Sequence, residues 1–311
     1  MKILIVGQFQ NPKVVEAMNV ARAYLNSQHV EHVVLNTEKL PDASFVYSGK
    51  RPESIDPFLE PPFDMGITLG GDGTLLHASR LTTMFDIPVL GINFGHLGFL
   101  ANSNEGGVVP VIQAALAGDV DNVKRTNLRI DVVCERPDGQ PNEPDAYLHP
   151  ESGNVHSFYA LNEVAIARGA LGQVIDSDLV ISGDQVVSLR GDGVVVSTAT
   201  GSTAYALSAG GPLVAPHFRG MVVVPLAPHT LNSRAIITEE HDIVEVQLPM
   251  RGNQREVVSL FVDGDPLQFD APVERVVVRT GAVRTRLMKY RMDSFYKQIS
   301  RTFFNGMAPV R

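Results

Sequence analysis

The apolar positions at the start of the chain alternate between two spacings. Residues 2–6 (Lys-Ile-Leu-Ile-Val) form a short apolar run closing at Gly7, the pattern of a buried strand leaving its sheet at the carboxyl end. Asn11-Pro12 follows, a capping residue before a proline at the first helical position. Val14, Val15, Met18, Ala21 and Leu25 then keep helical spacing to about Ser27. Val30 to Leu35 predicts a second strand, so the opening is β-α-β, which implies a parallel sheet covered by helices. Met65 to Leu69 predicts a third strand and Pro88 to Asn93 a fourth, with a helix between them from about Thr74 to Met84. A further helix over residues 107–117 ends at Gly118. Residues 41–62, with five prolines and little periodicity, read as an exposed, mobile loop.

Beyond about Arg125 the spacing changes to short strand-like runs. These are Arg129 to Glu135, Phe158 to Ala167, Asp178 to Ile181, Val186 to Leu189 and Val194 to Ser197. They continue at Met221 to Pro225, Ile243 to Leu248, Val257 to Val262 and Val273 to Arg279. One helix is expected near Ser202 to Ala209, and the polar segment 137–156 reads as a loop inserted in a hairpin. A helical tail over Asp293 to Phe304 is expected to return to the first domain. The predicted organisation is an α/β domain with a mostly parallel sheet over residues 1–125, joined by 289–311, and a β-rich domain over 126–288.

Composition narrows the classes of function. The chain has 311 residues, 44% of them apolar, enough for two packed cores and too apolar for a disordered chain. Its net charge of −8 argues against a broad nucleic-acid surface. One cysteine, Cys134, allows no internal disulfide and no cysteine cluster for a metal. No apolar run reaches the ~20 residues of a membrane span, and the N-terminus does not read as a signal peptide. The expectation is a cytoplasmic protein with no membrane and no nucleic-acid partner.

Three stretches carry candidate chemistry. Leu69-Gly70-Gly71-Asp72-Gly73-Thr74-Leu75-Leu76 lies between a predicted strand and a predicted helix. Its glycines let an anionic group approach main-chain N–H donors, and the helix start adds more. Asp72 at that edge could accept a proton from an attacking hydroxyl or hold Mg²⁺, or simply cap the helix. The second stretch is Gly191-Asp192-Gly193 followed by Thr198 to Pro212. There, small hydroxyl residues and glycines suggest a phosphate or ribose cradle, with Tyr205 placed to lie against a ring. The alternative is Ser/Thr capping around a core tyrosine. The third is Leu161-Asn162-Glu163-Val164, where Asn suits an adenine edge and Glu can accept from ribose hydroxyls, unless this is a solvated strand end. Neither a Gly-x-Gly-x-x-Gly run after the first strand nor a Gly-x4-Gly-Lys-Ser/Thr loop is present.

Together, in this order, these stretches resemble the NAD kinase family. The likeness extends through Gly91-Ile92-Asn93-Phe94-Gly95-His96-Leu97-Gly98-Phe99-Leu100, Arg190-Gly191-Asp192-Gly193, Thr200 to Pro212 and Pro228-His229-Thr230-Leu231. It implies a two-domain fold with the dinucleotide between the domains. It also implies phosphorylation of the 2′-hydroxyl of the adenosine ribose of NAD, with Mg²⁺ and ATP, or polyphosphate, as donor. By the same resemblance Asp72 is the proton acceptor and Gly73 a backbone contact to the dinucleotide. His77 falls where the family often has a basic ligand contact, with an exposed helix histidine as the alternative. Asn162 and Glu163 hold the adenosine portion. Arg190 and Asp192 line the dinucleotide site, Asp192 acting across a subunit contact. Thr203, Ala204, Tyr205, Ala206, Leu207 and Ser208 form the contacting segment, and Asp265 lies near a further contact. The family's habit implies a homodimer or homotetramer. Ala199 stands where the family often has proline. A lipid or sugar kinase sharing the glycine-rich run, and a non-catalytic dinucleotide sensor, are the rival readings.

Overall fold

A computed structural model describes residues 1–40, 63–95, 98–150, 153–169, 172–230, 232–252, 254–291 and 293–304. The loop at 41–62, and His96, Leu97 and Leu231 of the motifs, lie outside the described residues. The chain divides into two compact units.

The α/β unit holds residues 1–40, 63–124 and 285–304. Strand β1 (Lys2–Gly7) leads into helix α1 (Pro12–Ser27), whose start is set by Asn11: its side chain accepts from the Lys13 N–H at 3.1 Å. Then follow β2 (Glu31–Asn36), β3 (Met65–Leu69), α2 (Asp72–Met84), β4 (Val89–Ile92), α3 (Val108–Ala117) and β5 (Asp121–Arg125). Gly118 closes α3 in the left-handed region at φ 76°, which glycine adopts without strain. The sheet order is β2-β1-β3-β4-β20-β5, where β20 (Thr285–Lys289) is the last strand of the chain. The pairs β1–β2, β1–β3, β3–β4 and β4–β20 are all parallel. Strand order reverses at β1, so β1 and β3 flank the switch point where sheets of this kind open a ligand crevice. The runs Ile3–Val6 and Met65–Leu69 are buried throughout, as expected of strands covered on both faces.

Two strands of this sheet escaped the sequence reading. Both β5 and β20 carry charged residues, Asp121, Lys124 and Arg125 in one and Arg286 and Lys289 in the other, which mask a strand pattern. The chain therefore re-enters this unit at Thr285, earlier than the expected 289, because β20 is part of its sheet. The tail then forms α5 (Phe295–Ile299) and a π-helical turn over Ser300–Phe304.

The β-rich unit spans residues 125–284. Its strands are β6 (Leu128–Cys134), β7 (Val155–Ala160), β8 (Glu163–Arg168), β9 (Ile175–Ile181), β10 (Asp184–Gly191) and β11 (Gly193–Ser197). They continue as β12 (Val222–Leu226), β13 (Ile236–Ile237), β14 (Val244–Gln247), β15 (Met250–Arg251), β16 (Gln254–Arg255), β17 (Val258–Val262), β18 (Asp265–Leu267) and β19 (Val273–Thr280). Two six-stranded sheets result, in orders β10-β9-β14-β19-β6-β7 and β13-β12-β11-β8-β17-β18. Alternate residues of both sheets make one core: Ile130, Val132, Leu179, Val244, Val246, Val276 and Val278 from the first, Val164, Ile166, Val194, Val196, Val223, Leu260 and Val262 from the second. Ala165, Val195, Val222 and Val224 point the other way and are covered by Ala199, Ala206 and Val214. That second layer explains why Val194 to Val196 is apolar without alternation.

The expected single run Phe158 to Ala167 is two strands, β7 and β8, broken at Leu161-Asn162. The expected helix from Ser202 to Ala209 is a 3₁₀ turn over Gly201–Thr203 followed by one turn, α4 (Tyr205–Ser208). Glycine, serine and threonine at its start favour local side-chain bonds over helix propagation.

Candidate functional site

Asp72 is the first residue of α2, directly beyond the carboxyl end of β3. It does not cap its helix: Gly71 occupies that place and no side chain bonds the helix start. The carboxylate instead accepts three successive main-chain amides, Phe99 N–H at 2.9 Å and Leu100 N–H at 3.1 Å on Oδ2, and Ala101 N–H at 3.0 Å on Oδ1. A carboxylate has about four lone-pair sites, so about one remains for a further partner. A Cβ at Gly98 would overlap this carboxylate, which accounts for the glycine in Leu97-Gly98-Phe99. At Gly73 a Cβ would meet nothing within 4 Å, and the residue is exposed, so the fold itself does not demand glycine there. Glycine at that place keeps the amides at the start of α2 open to an approaching group. His77 is half-buried one turn further along α2. Asn93 shapes the neighbouring turn, its side chain both donating to and accepting from the Gly95 main chain at 3.1 Å.

In the β-rich unit the Leu161-Asn162-Glu163 segment is held from two sides. The Asp263 carboxylate accepts N–H bonds from Leu161 at 2.9 Å, Asn162 at 2.7 Å and Glu163 at 3.1 Å. Thr198 returns bonds to the carbonyls, its N–H to Asn162 at 2.8 Å and its hydroxyl to Leu161 at 2.6 Å. A Cβ at Gly201 would overlap the Asn162 carbonyl, which fixes glycine at that close approach. Glu163 is buried, and its Oε2 has no hydrogen-bond partner. Burial, and then the nearby Asp263 charge, push its carboxyl up to about 8, against a smaller opposing pull from the Tyr205 N–H. At neutral pH Glu163 is therefore mostly protonated and can donate as well as accept, beyond the accepting role its sequence position suggested.

The hydroxyls of the Thr198 to Ser208 stretch are mostly used by the fold. Ser197, Thr198, Ser202 and Thr203 all donate to main-chain carbonyls. Tyr205, by contrast, is 45% exposed, so the core-tyrosine alternative fails. Ala204, Leu207 and Ser208 surround it on half-buried or exposed backbone, and Ala206 is buried in the layer beneath.

Arg190 and Asp192 do not join Asn162 and Glu163. The pairing of β11 with β8 sets Ser197 opposite Glu163 and Gly193 opposite Ala167, so Asp192 stands at the other end of that strand pair. Four residues of extended chain separate the ends by ~13 Å. Asp192 pairs with Arg168 at 3.3 Å and Arg190 lies 3.8 Å from Asp176. Asp265 opens β18, two residues past the Asp263 that holds the Asn-Glu turn. Asp263 itself was missed. The available signal was its place in Val262-Asp263-Gly264-Asp265, a hairpin turn in which one of two carboxylates had to find donors. Among the described residues no group of three or more His, Cys, Asp or Glu is placed to hold a metal, and no helix is long and apolar enough to cross a membrane.

Comparisons with known proteins agree across both units. A family model for the ATP-NAD kinase N-terminal domain matches residues 9–120, and one for the ATP-NAD kinase C-terminal domain matches residues 161–290. The NAD kinase of Geobacter sulfurreducens is 37% identical over 234 residues, 75% of this chain and 76% of its own. That of Nitrosospira multiformis is 31% identical over 300 residues, 96% and 93% of the two chains. Yeast NADH kinase, solved in complex with NADH, superposes with a TM-score of 0.76 at 24% identity, covering 100% of this chain and 89% of that one. An Archaeoglobus fulgidus NAD kinase solved with ATP gives 0.66 at 22%, covering 98% of each. At those identities the two structures speak for the fold.

Proposed function

Because the chain belongs to the NAD kinase family, we infer that it transfers a phosphoryl group from ATP to the 2′-hydroxyl of the adenosine ribose of NAD, giving NADP. Two observations carry this reading: both halves of the chain match the two domains of the family, and Asp72 stands at the open start of α2 with a lone pair to spare. A lipid or sugar kinase would share only the glycine-rich run. A sensor would have no use for a carboxylate so placed.

Asp72 accepts the proton of the 2′-hydroxyl as its oxygen forms the new bond to the γ-phosphorus. The bond from that phosphorus to the β-phosphate oxygen breaks, and its electron pair leaves on ADP. A positioned base contributes about 10²–10⁴-fold to such a step. Exposed amides at Gly73 and the start of α2 bind phosphate oxygens. Magnesium enters with the donor as MgATP, held mainly by phosphates and water as this ion usually is. Polyphosphate offers the same phosphoanhydride chemistry. Asn162 and Glu163 recognise the adenosine portion, and Tyr205 lies against a ring of the dinucleotide with Ala204, Ala206, Leu207 and Ser208 shaping its seat. His77 supplies a basic contact on α2. Arg190 and Asp192, at the far end of their strand pair, serve a dinucleotide bound by a neighbouring subunit of a dimer or tetramer. A cytoplasmic location fits a chain whose one cysteine is free and buried.

The test is NADP formation from NAD, ATP and Mg²⁺, read through a glucose-6-phosphate dehydrogenase coupling, with Asp72→Asn alongside. Activity in the wild type and its loss in the variant is the expected result. Failure with ATP, with polyphosphate and with NADH, while NAD still binds, would establish the sensor.

A further inference from the structure

The turn that holds Asp72 is itself held from the far end of the chain. Phe99, Leu100 and Ala101 supply the three amides, and each side of this turn is tied to the returning segment 288–304. The Lys289 ammonium, on a side chain that is buried, donates to the Leu100 carbonyl, the same residue whose N–H reaches Asp72. Asn102, fully buried, donates to the Met288 carbonyl at 3.0 Å and to the Gly91 carbonyl at 2.8 Å, and accepts the Tyr290 N–H at 2.9 Å. On the other flank the Phe99 ring lies 6.1 Å from both Phe295 and Phe303, stacked with the latter at 18°. The final turn that carries Phe303 is π-helical, a rare backbone geometry.

This arrangement is more than closure of a sheet. β20 alone would complete the strand order; the Lys289 and Phe303 side chains add contacts directed at the two residues whose amides meet Asp72 Oδ2. Burying an ammonium is costly unless it is well paired, and here one of its bonds is spent on that turn. Residues 291–304 also lie beyond both family-domain matches.

The geometry points to Lys289 and Phe303 as positioning residues for Asp72: the C-terminal return fixes the 99–101 turn and, through it, the direction of the carboxylate toward the acceptor hydroxyl. This rests on the reading of Asp72 as the proton acceptor. Misplacement of a reacting group by ~1 Å can cost about a hundredfold in rate, so loosening the turn should lower kcat while leaving KM for NAD and for ATP unchanged.

The experiment compares full-length wild type with Lys289→Met, Lys289→Arg and Phe303→Ala, each also combined with Asp72→Asn. The expected result is a kcat lowered about ten- to a hundredfold in Lys289→Met, by several-fold in Phe303→Ala, and largely restored in Lys289→Arg. In the Asp72→Asn background the same substitutions should produce no further loss, because the group they position is gone. Phe303 is 40% exposed, so its variant folds even if Lys289→Met does not. Unchanged kcat in a folded Phe303→Ala and Lys289→Met would overturn the inference alone. So would equal fold-losses with and without Asp72, the mark of a general structural defect. Normal turnover by Asp72→Asn would overturn the base reading, and this inference with it.

Discussion

In the α/β unit the Asp72 carboxylate accepts the amides of Phe99, Leu100 and Ala101; in the β-rich unit the Asp263 carboxylate accepts those of Leu161, Asn162 and Glu163. The hydrogen bonding is nearly identical and, under the proposed function, the use is reversed. In the proposed reaction the Asp72 carboxylate is the chemical group and the backbone turn is its mount. In the same reading the Asp263 carboxylate is the mount, and the turn it holds carries Asn162 and Glu163, the residues proposed to meet the adenosine portion. Three amides converging on an anion form one of the stronger fixtures a short loop can have, since bonds to charged groups are worth ~1.5–3 kcal/mol each. The comparison teaches that the fixture does not by itself identify the functional partner. What separates the members is free capacity, which Asp72 keeps in a lone pair and Glu163 in its unpartnered Oε2.

The comparison is sharpest under a matched pair of substitutions. Asp72→Asn and Asp263→Asn each replace one acceptor oxygen by an amide nitrogen that faces an N–H, so each should cost roughly 1–3 kcal/mol of stability. Their kinetics should part. Asp72→Asn should lower kcat by about 10²–10⁴-fold with NAD affinity unchanged by calorimetry. Equal losses in turnover and binding would make Asp72 a mount like Asp263. Asp263→Asn should raise KM for NAD by about tenfold, the equivalent of ~1.4 kcal/mol of one weakened fixture, with kcat largely kept. If kcat collapsed instead, the turn at Asn162-Glu163 would be part of the chemistry and the contrast would be lost. Tyr205→Ala should have a smaller effect. Its ring is half exposed, so stability should hold while the dissociation constant for NAD rises by several-fold, in line with the ~0.5–1.5 kcal/mol of an aromatic pair. An unchanged affinity would remove Tyr205 from the site.

The same contrast explains what the sequence made legible. Strand and helix periodicity located β1, α1, β3, α3 and most of the sandwich, because those elements bury one continuous face or both. It did not locate β5 and β20, whose charged residues disguise them, or the break between β7 and β8, where the chain stays apolar through Leu161 while its backbone bonds turn to Asp263 and Thr198. Local motifs singled out Asp72, Asn162 and Glu163 as candidates. Their supports lie far along the chain, Asp263 about a hundred residues from the turn it holds and Lys289 almost two hundred from Leu100. Pairing at such separations is set by the fold, and no local pattern announces it. The hydroxyl-rich stretch is ambiguous for the opposite reason: serine and threonine beside glycine look alike whether they await a ligand or satisfy their own backbone, and here Thr198, Ser202 and Thr203 donate to main-chain carbonyls.

The subtlest test concerns the charge that Asp263 imposes on its neighbour. In the unfolded chain Glu163 releases its proton near 4.5; in the fold, burial and the Asp263 charge delay release to about 8. The native state thus binds the extra proton across this window, so stability should fall as pH rises from about 4.5 to about 8 and level off beyond, where both states are ionised. Glu163→Gln has no proton to lose. Its melting temperature should track the wild type at pH 4 and exceed it increasingly toward pH 8, by an amount worth at most a few kcal/mol. For the proposed contact to a ribose hydroxyl, ionisation above pH 8 leaves Glu163 a charged group that only accepts, a stronger acceptor than the neutral carboxyl, so KM for NAD should fall in the wild type as pH passes through 8 and stay flat in the variant. Parallel melting curves at every pH would show that Glu163 ionises freely, and that Asp263 acts on the Asn-Glu turn through its hydrogen bonds alone.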